Sequence, residues 1–222
     1  MSHLSLSEVP LSLPRLAIIV PASNESQCIQ NKILNIESMA AKEHIRVFLV
    51  IVCNNCSDNT YDVCVASSVA HIELTVLYSN PGKISAVKQG LSHVLAQPDI
   101  QLIAISDANS YVLPGCLSSI VCSYDPAYSL YLVNNLYAFG LVPQNSWPNS
   151  RTWSLRHSLD RLIRVSSGAN GSFYAISRRA ASLVLSMPYV RNDDFVISLL
   201  AQSVGRSFWV EGAYTFERLS SG

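Results

Sequence analysis

The sequence has no excess of either charge: 15 basic residues are matched by 15 acidic ones, and charged residues make up only 14% of the 222 positions. Nucleic-acid binding normally shows a basic excess or a basic face, and this balance gives it no support. No apolar run approaches the roughly 18 to 20 residues that a membrane-spanning helix needs. The start, MSHLSLSEVPLSLP, lacks the basic region and the long apolar region of a signal peptide. The expectation is a cytoplasmic protein, with peripheral contact at the inner face of a membrane left open. There is no internal repeat, no low-complexity tract and no linker rich in Pro, Gly or Ser, so nothing divides the chain into two domains. Cys53 and Cys56 form a C-x-x-C, but no second pair of Cys or His ligands at similar spacing accompanies them. A zinc site needs that second pair, and in a reducing compartment the six cysteines read as small packing residues.

What the chain does have is apolar residues, 49% of the total, concentrated in short unbroken runs. Leu16–Val20 and Ile45–Val52 are each too continuous for a strand exposed on one face, Ile72–Leu77 is a third run, and Leu102–Ile105 is a short apolar segment of a fourth. Strands buried on both faces belong to parallel sheets covered by helices. Each run is followed by a polar turn and then a segment with apolar residues at helical spacing: Ile29, Ile33, Ile36 and Met39; Val63, Ala66 and Val69; Ile84, Val87, Leu91 and Val94. Repeated strand-loop-helix units imply right-handed crossovers, a mostly parallel sheet, and loops gathered at one edge. Ser23 or Asn24 can cap the first helix, and Ser57 or Asp58 the second. Farther on, Tyr128–Val133 reads as a strand continuing toward Tyr137 and Phe139, Trp147–Val165 as a helix, Phe173–Ile176 as a strand, Val196–Val204 as a helix ended by a Gly205 cap, and Ser207–Val210 as a last strand. Arg151, Arg156, Arg161 and Arg164 lie on or near the Trp147 helix, with Asp160 four residues from two of them. Such a face either meets an anionic surface or is simply solvated and salt-bridged.

The loops carry the chemistry. Ile100–Pro114 runs from a buried strand into a turn bearing Asp107 and Asn109, two oxygen donors two residues apart where open α/β sheets place ligands. Hard cations such as Mg²⁺ or Mn²⁺ take such oxygens and share the remaining positions with phosphate and water, although Asp and Asn also favour plain turns. Asn80-Pro81-Gly82 is a strong turn signal that sets Lys83 near the same edge. Gly168 to Ser172 brings two glycines three apart, a place where backbone can approach a ligand. Asp193 and Asp194 open a helix, either as dipole partners or as a catalytic pair.

Taken in order, these loops resemble the inverting nucleotide-sugar glycosyltransferases of family two, with the GT-A fold, from Leu16 to about Ala213. IIVPASNES looks like the family's opening strand with P-A-x-N-E. VCNNCSDNT resembles its nucleobase-binding segment, with Asn54 where an Asp is common and with Asp58 and Thr60 matching. NPGKISAVKQGL is similar to N-x-G-K-x-x-A-x-x-x-G-L, and SDANS corresponds to the metal-binding D-x-D with Asn109 in the second position. NDDF resembles the acidic motif that supplies the catalytic base. Related members place a glycine eleven residues after its final Asp, which here selects Asp194, eleven before Gly205.

The resemblance implies a single-domain α/β fold of GT-A type, with a Rossmann-like, mostly parallel central sheet flanked by helices. Residues 1–14 would be a flexible N-terminus, 15–113 the nucleotide-binding half and 114–215 the acceptor half. It implies metal-assisted transfer of a sugar from a nucleotide-diphosphate donor to an acceptor hydroxyl with inversion. Pro21, Ala22, Ser23, Glu25, Asn54, Asp58, Lys83 and Asp107 would hold the donor. Asp107 and Asn109 would bind Mg²⁺ or Mn²⁺. Asp194 would act as base with its pKa raised by Asp193, and Gly168, Asn170, Gly171 and Ser172 would border the acceptor. The acceptor itself, a glycan, a lipid-linked sugar or another hydroxyl compound, is not named by any motif, and a partner protein remains an option. The Q-x-x-R-W motif of processive synthases is missing, which favours a single addition in polysaccharide, glycolipid or cell-envelope glycan synthesis. Two other classes stay in view: a non-catalytic nucleotide-sugar-binding protein of transferase descent, and a sugar-phosphate nucleotidyltransferase. The latter would show a G-x-G-T-R loop where PASNES stands.

Overall fold

The four apolar runs become β1 (Arg15–Ala22), β2 (Val47–Asn54), β3 (Glu73–Ser79) and β4 (Ile100–Ser106), all parallel, with β1 between β2 and β4. In this computed structural model, residues 14–138, 172–188 and 193–218 are described. Between the strands lie α1 (Ile29–Glu43), α2 (Thr60–Ala66) and α3 (Lys83–Leu95). The chain continues through β5 (Ser110–Val112), α4 (Cys116–Cys122), β6 (Tyr128–Ala138), β7 (Phe173–Ser177), α5 (Arg178–Ser186), α6 (Asp193–Val204) and β8 (Arg206–Arg218). The eight strands form one sheet in the order β3-β2-β1-β4-β7-β6-β8-β5. The β4–β7, β6–β7 and β5–β8 pairings are antiparallel, and the other four are parallel.

Burial explains the unbroken runs of β1 and β2, whereas β3, at the edge of the sheet, has no fully buried residue and carries Glu73 and Thr75. Every residue of β2 is buried, and β1 is buried from Leu16 to Val20. Alternate side chains go to two cores: Leu16, Ile18 and Val20 pack with Ile29, Ile33 and Ile36 of α1, while Ala17 and Ile19 pack with Val87, Leu91 and Val94 of α3. Each such side chain removed from water contributes about 1.5–3 kcal/mol. Helix α3 approaches β1 closely because Gly90 has no side chain; a Cβ there would lie 2.6 Å from Ile19 Cγ2. Arg178, the first residue of α5, is spent on the far end of α3, donating to the carbonyls of Leu95, Gln97 and Ile100. It satisfies groups that a helix C-terminus leaves open.

The first three crossovers position the ligand edge. α1 and α2 pack on one face of the sheet and α3 on the other, so the chain switches direction between β1 and β4. Open α/β sheets leave a crevice at that switch, outside the carboxyl ends of the strands.

Several local expectations change. Asn24 does not cap α1, whose first turn has no side-chain cap; its Oδ1 instead accepts from the backbone N–H of Ser57 (2.7 Å) and of Asp58 (3.3 Å), tying the first loop to the second. Asn24 and Asn55 adopt left-handed backbone, which asparagine tolerates better than most residues. Gly205 is not a left-handed cap: it lies outside the positive-φ positions, and a Cβ there would meet Ser129 Oγ at 2.7 Å. Glycine is required by the close approach of β6, not by the end of the helix. The last strand runs well past Val210 to Arg218, pairing β6 on one side and the short β5 on the other. Residues 147–165, expected to form a helix, with their arginines, and Phe139, Gly168, Asn170, Gly171 and the N-terminal segment through residue 13 lie outside the described residues. None of the six cysteines is in a disulfide. Cys53, buried on β2, has its thiol pKa raised by a hydrogen bond with Cys64 and by burial, so its thiolate is disfavoured.

Candidate active site

A cleft of about 280 Å³ opens at the switch point, lined by Pro21, Ala22, Ser23, Glu25, Asn54, Lys83, Asp107, Ala108 and Asn109. All four strand-end loops contribute. Pro21 and Ala22 end β1, Asn54 ends β2, Lys83 begins α3, and Asp107 to Asn109 follow β4. Residues spread over nearly ninety positions converge because each lies just beyond the carboxyl end of one parallel strand.

The loops are held by defined contacts. Asn54 is nearly buried, and its Oδ1 accepts from the backbone N–H of Gly82 at 2.9 Å, fixing the turn before Lys83. Gly82 has φ 112°, a conformation that side-chain-bearing residues rarely adopt, which accounts for the glycine there. The N–H of Glu25 donates to Thr60 Oγ1 at 2.8 Å, a second tie between the first and second loops. The N–H of Asp107 donates to the carbonyl of Ser172 at 3.0 Å, so Ser172 adjoins the Asp107 turn.

Charge is concentrated on one contact. Lys83 Nζ lies 2.9 Å from Asp107 Oδ1 and 3.9 Å from Asp194 Oδ2. Asp194 stands in the first turn of α6, so the lysine joins the β4 loop to the start of a helix 87 positions farther along the chain than Asp107. The three side chains are 36%, 29% and 21% exposed, which leaves them open to a ligand without full solvation. Asp193 opens the same helix, and its side chain lies outside the described residues.

Asp58, expected among the donor ligands, is not part of the cleft lining. Its carboxylate accepts from Thr60 Oγ1 (2.5 Å), the Thr60 N–H (3.0 Å) and the Ser26 N–H (3.1 Å). These bonds, Thr60 foremost, hold its pKa down at about 2. The residue ties the second loop to the start of α1, and that loop geometry is what sets Glu25 and Asn54 on the cleft wall.

One residue of the site's surroundings was not legible in the sequence. Lys32 of α1 is 0% exposed, and its ammonium donates to Ser106 Oγ at 2.6 Å and to the carbonyl of Ser110. Burial lowers its pKa to about 7, with the Asp107 carboxylate pulling in the opposite direction. The faint signal available was a lysine three residues after Ile29 and one before Ile33, on the face of α1 that turns inward.

Comparison with known proteins places this geometry. Residues 17–183 match the family model described as glycosyl transferase family 2. A mannosyltransferase of Pyrobaculum calidifontis, PcManGT, solved with GDP-Man and Mn²⁺, superposes with a TM-score of 0.73 at 19% identity over 96% of this chain and 59% of its own. S. aureus TarS 1–349, solved with UDP-GlcNAc, gives 0.60 at 15% identity over 93% of this chain and 60% of its own. Glucosyl-3-phosphoglycerate synthase of Mycobacterium tuberculosis, solved with Mn²⁺, UDP-Glc and phosphoglyceric acid, gives 0.52 at 16% identity over 93% of this chain and 72% of its own. The chain therefore spans about three fifths of the length of the first two. Among curated proteins, none matches the sequence. At these identities the superpositions establish the fold, an α/β domain with a mostly parallel central sheet flanked by helices. Among the described residues, no helix is long and apolar enough to cross a membrane.

Proposed function

The chain belongs to glycosyl transferase family 2, and on that premise we propose that it transfers a sugar from a nucleoside-diphosphate donor to an acceptor hydroxyl with inversion at the anomeric carbon. The observation that carries the reading is the Asp107–Lys83–Asp194 contact beside a cleft at the sheet's switch point. It joins a cation for a diphosphate to a carboxylate able to take a proton.

The donor set fits a divalent ion of one kind. Asp107 offers a carboxylate and Asn109 an amide on the cleft wall, and among the described residues no group of three His, Cys, Asp or Glu makes a protein-only cage. Mg²⁺ binds through one or two carboxylates and takes its remaining ligands from phosphate and water, so the pair suits an ion, Mg²⁺ or Mn²⁺, shared with the donor diphosphate. Such an ion, when bound, neutralises charge on the departing diphosphate.

The chain's own residues do the rest. Pro21, Ala22, Ser23, Glu25 and Asn54 form the wall against which the nucleoside lies. Lys83 neutralises part of the diphosphate charge as the glycosidic bond to it breaks, an electrostatic contribution directed at the atoms where charge develops. Asp194 accepts the proton from the acceptor hydroxyl as that oxygen attacks the face of the sugar opposite the leaving group. Asp193 pairs with Asp194 as the acidic couple that tunes the base, and Gly168, Asn170, Gly171 and Ser172 are assigned to the acceptor side, where Ser172 adjoins the Asp107 turn.

Asp194→Asn tests it. Sugar transfer, followed as release of the nucleoside diphosphate in the presence of a hydroxyl acceptor panel, should fall about 10²- to 10⁴-fold, the usual contribution of a general base. Donor affinity, measured by calorimetry, should stay within about threefold, less than one 1.4 kcal/mol decade. Loss of donor binding in step with activity would mean that Asp194 holds the donor instead.

A further inference from the structure

Helix α1 grips the segment that follows β4 at three heights. Asn35 makes a reciprocal pair with Val112, its Nδ2 donating to the carbonyl (3.0 Å) and its Oδ1 accepting from the N–H (2.9 Å). Glu43 accepts from the N–H groups of Gly115 (3.0 Å) and Ser118 (2.7 Å), at the start of α4. Lys32, one turn before Asn35, reaches the part of the segment that borders the cleft. Its two partners are Ser106, the residue immediately before Asp107, and Ser110, the residue immediately after Asn109.

The choice of a lysine is costly. A fully buried ammonium loses its hydration, and replacing buried charges by apolar groups of similar volume is often neutral or stabilising. The surroundings are suited to such a replacement, since Ile29, Ile33 and Ile36 of the same helix are all buried and the Phe173 ring lies 6.0 Å from the ammonium. Asn35 and Glu43 already anchor β5 and α4. What the ammonium adds is a bracket across three residues, Asp107, Ala108 and Asn109, all of which line the cleft. Groups that hold the ligands of a metal in orientation typically alter affinity by about 10- to 100-fold when removed, without touching the ion themselves.

We propose that Lys32 is a positioning residue for the diphosphate and its metal ion: held on Ser106 Oγ and the Ser110 carbonyl, it fixes the turn that presents Asp107 and Asn109 to the cleft. The inference rests on the transferase reading above and extends it to a residue outside the cleft. Asp107 and Asn109 contribute one formal negative charge between them, so the site depends on placement more than a two-carboxylate site would. The buried bracket supplies that placement from behind, leaving the cleft side of both residues to the ligand.

The test uses the full chain and whichever of UDP, GDP, CDP or dTDP the wild type binds most tightly with Mn²⁺. Lys32→Met should weaken calorimetric binding of that diphosphate with Mn²⁺ by about 10- to 100-fold. Binding of the matching nucleoside, followed by ligand-detected NMR, should change by less than about threefold, because the nucleoside has no phosphate to place. Asn35→Ala removes two bonds from the same face of α1, and it should lower the melting temperature while leaving both affinities near wild type. Wild-type affinity for the diphosphate with Mn²⁺ in Lys32→Met would overturn the inference, as would an equal loss in Asn35→Ala or a parallel loss of nucleoside binding. If Lys32→Met does not fold, Ser106→Ala carries the test: weaker diphosphate binding with unchanged nucleoside binding supports the bracket, and unchanged diphosphate binding overturns it. A wild type that binds none of the four diphosphates with Mn²⁺ would overturn the transferase reading itself, whereas wild-type binding that Lys32→Met leaves intact would overturn this inference alone.

Discussion

Replacing Lys83 with methionine should separate binding from stability. In the folded chain its ammonium is 2.9 Å from Asp107 and 3.9 Å from Asp194, with all three side chains between one fifth and about one third exposed. Ion pairs open to solvent to this degree contribute about 0–1 kcal/mol to folding, so removal should cost no more than that. The ligand meets different terms. A unit charge about 4 Å from a phosphate oxygen interacts by ~1 kcal/mol in bulk water and ~4 kcal/mol at an effective dielectric of about 20. The partly exposed cleft lies between these limits, which sets the expected loss of nucleoside-diphosphate affinity at about 10- to 100-fold. Calorimetry with Mn²⁺ present gives the affinity, and chemical denaturation gives the stability. The dependence of affinity on salt should also become shallower, because one cation facing the diphosphate is gone. An affinity change below about threefold, or a stability loss above about 2 kcal/mol, would refute this reasoning, because Lys83 would then be a structural tie and not a ligand group.

Two further outcomes follow from the packing and from Lys32. Gly90→Ala places a Cβ 2.6 Å from the buried Cγ2 of Ile19; overpacking of about 1–3 kcal/mol outweighs the gain of about 1 kcal/mol in helix propensity, and denaturation should show a net loss of about 1 kcal/mol. The Lys32 pKa is lowered in the fold from 10.5 to about 7, so between those values the unfolded chain binds more protons and stability rises with pH, by roughly 1.4 kcal/mol per unit at most. Compared with Lys32→Met over about pH 7 to 9, the wild type should therefore gain relative stability as pH rises. The buried Cys116 thiol beside Lys32 is pushed up to about 12, above this pH range. A relative stability that falls with pH would contradict the lowering of the Lys32 pKa by burial.

The features legible in the sequence were those set by local pattern. Unbroken runs such as LAIIV and LIAI can be buried only between two helical layers, and the polar residues ending them had to meet at one edge of a parallel sheet. That geometry brings Asn54, Lys83 and Asp107 together without any information about distant contacts. What stayed hidden depends on partners far away in the chain. Lys32 is buried because Ser106 and Ser110, more than seventy positions later, supply oxygen acceptors. Asn24 looked like a helix cap because asparagine favours caps, yet the acceptor is used by Ser57 and Asp58 across the loops. Gly205 looked like a helix end, and its small size answers instead to Ser129 on β6. Asp58 matched a motif position, and its carboxylate accepts from Thr60 and Ser26, residues whose pairing with it no local pattern showed. The three-residue β5 forms where the long β8 offers it an edge and Asn35 of α1 pairs with Val112.

The central claim is that the cleft between Ala22, Asn54, Lys83 and Asp107 takes a nucleoside diphosphate together with a divalent ion. Calorimetric titration of the chain with UDP, GDP, CDP and dTDP, each with and without Mn²⁺, tests it directly. The account predicts that at least one of them binds, that Mn²⁺ tightens this binding, and that Asp107→Ala abolishes the metal-dependent part. Metal-independent binding of all four, or no binding of any, would contradict it.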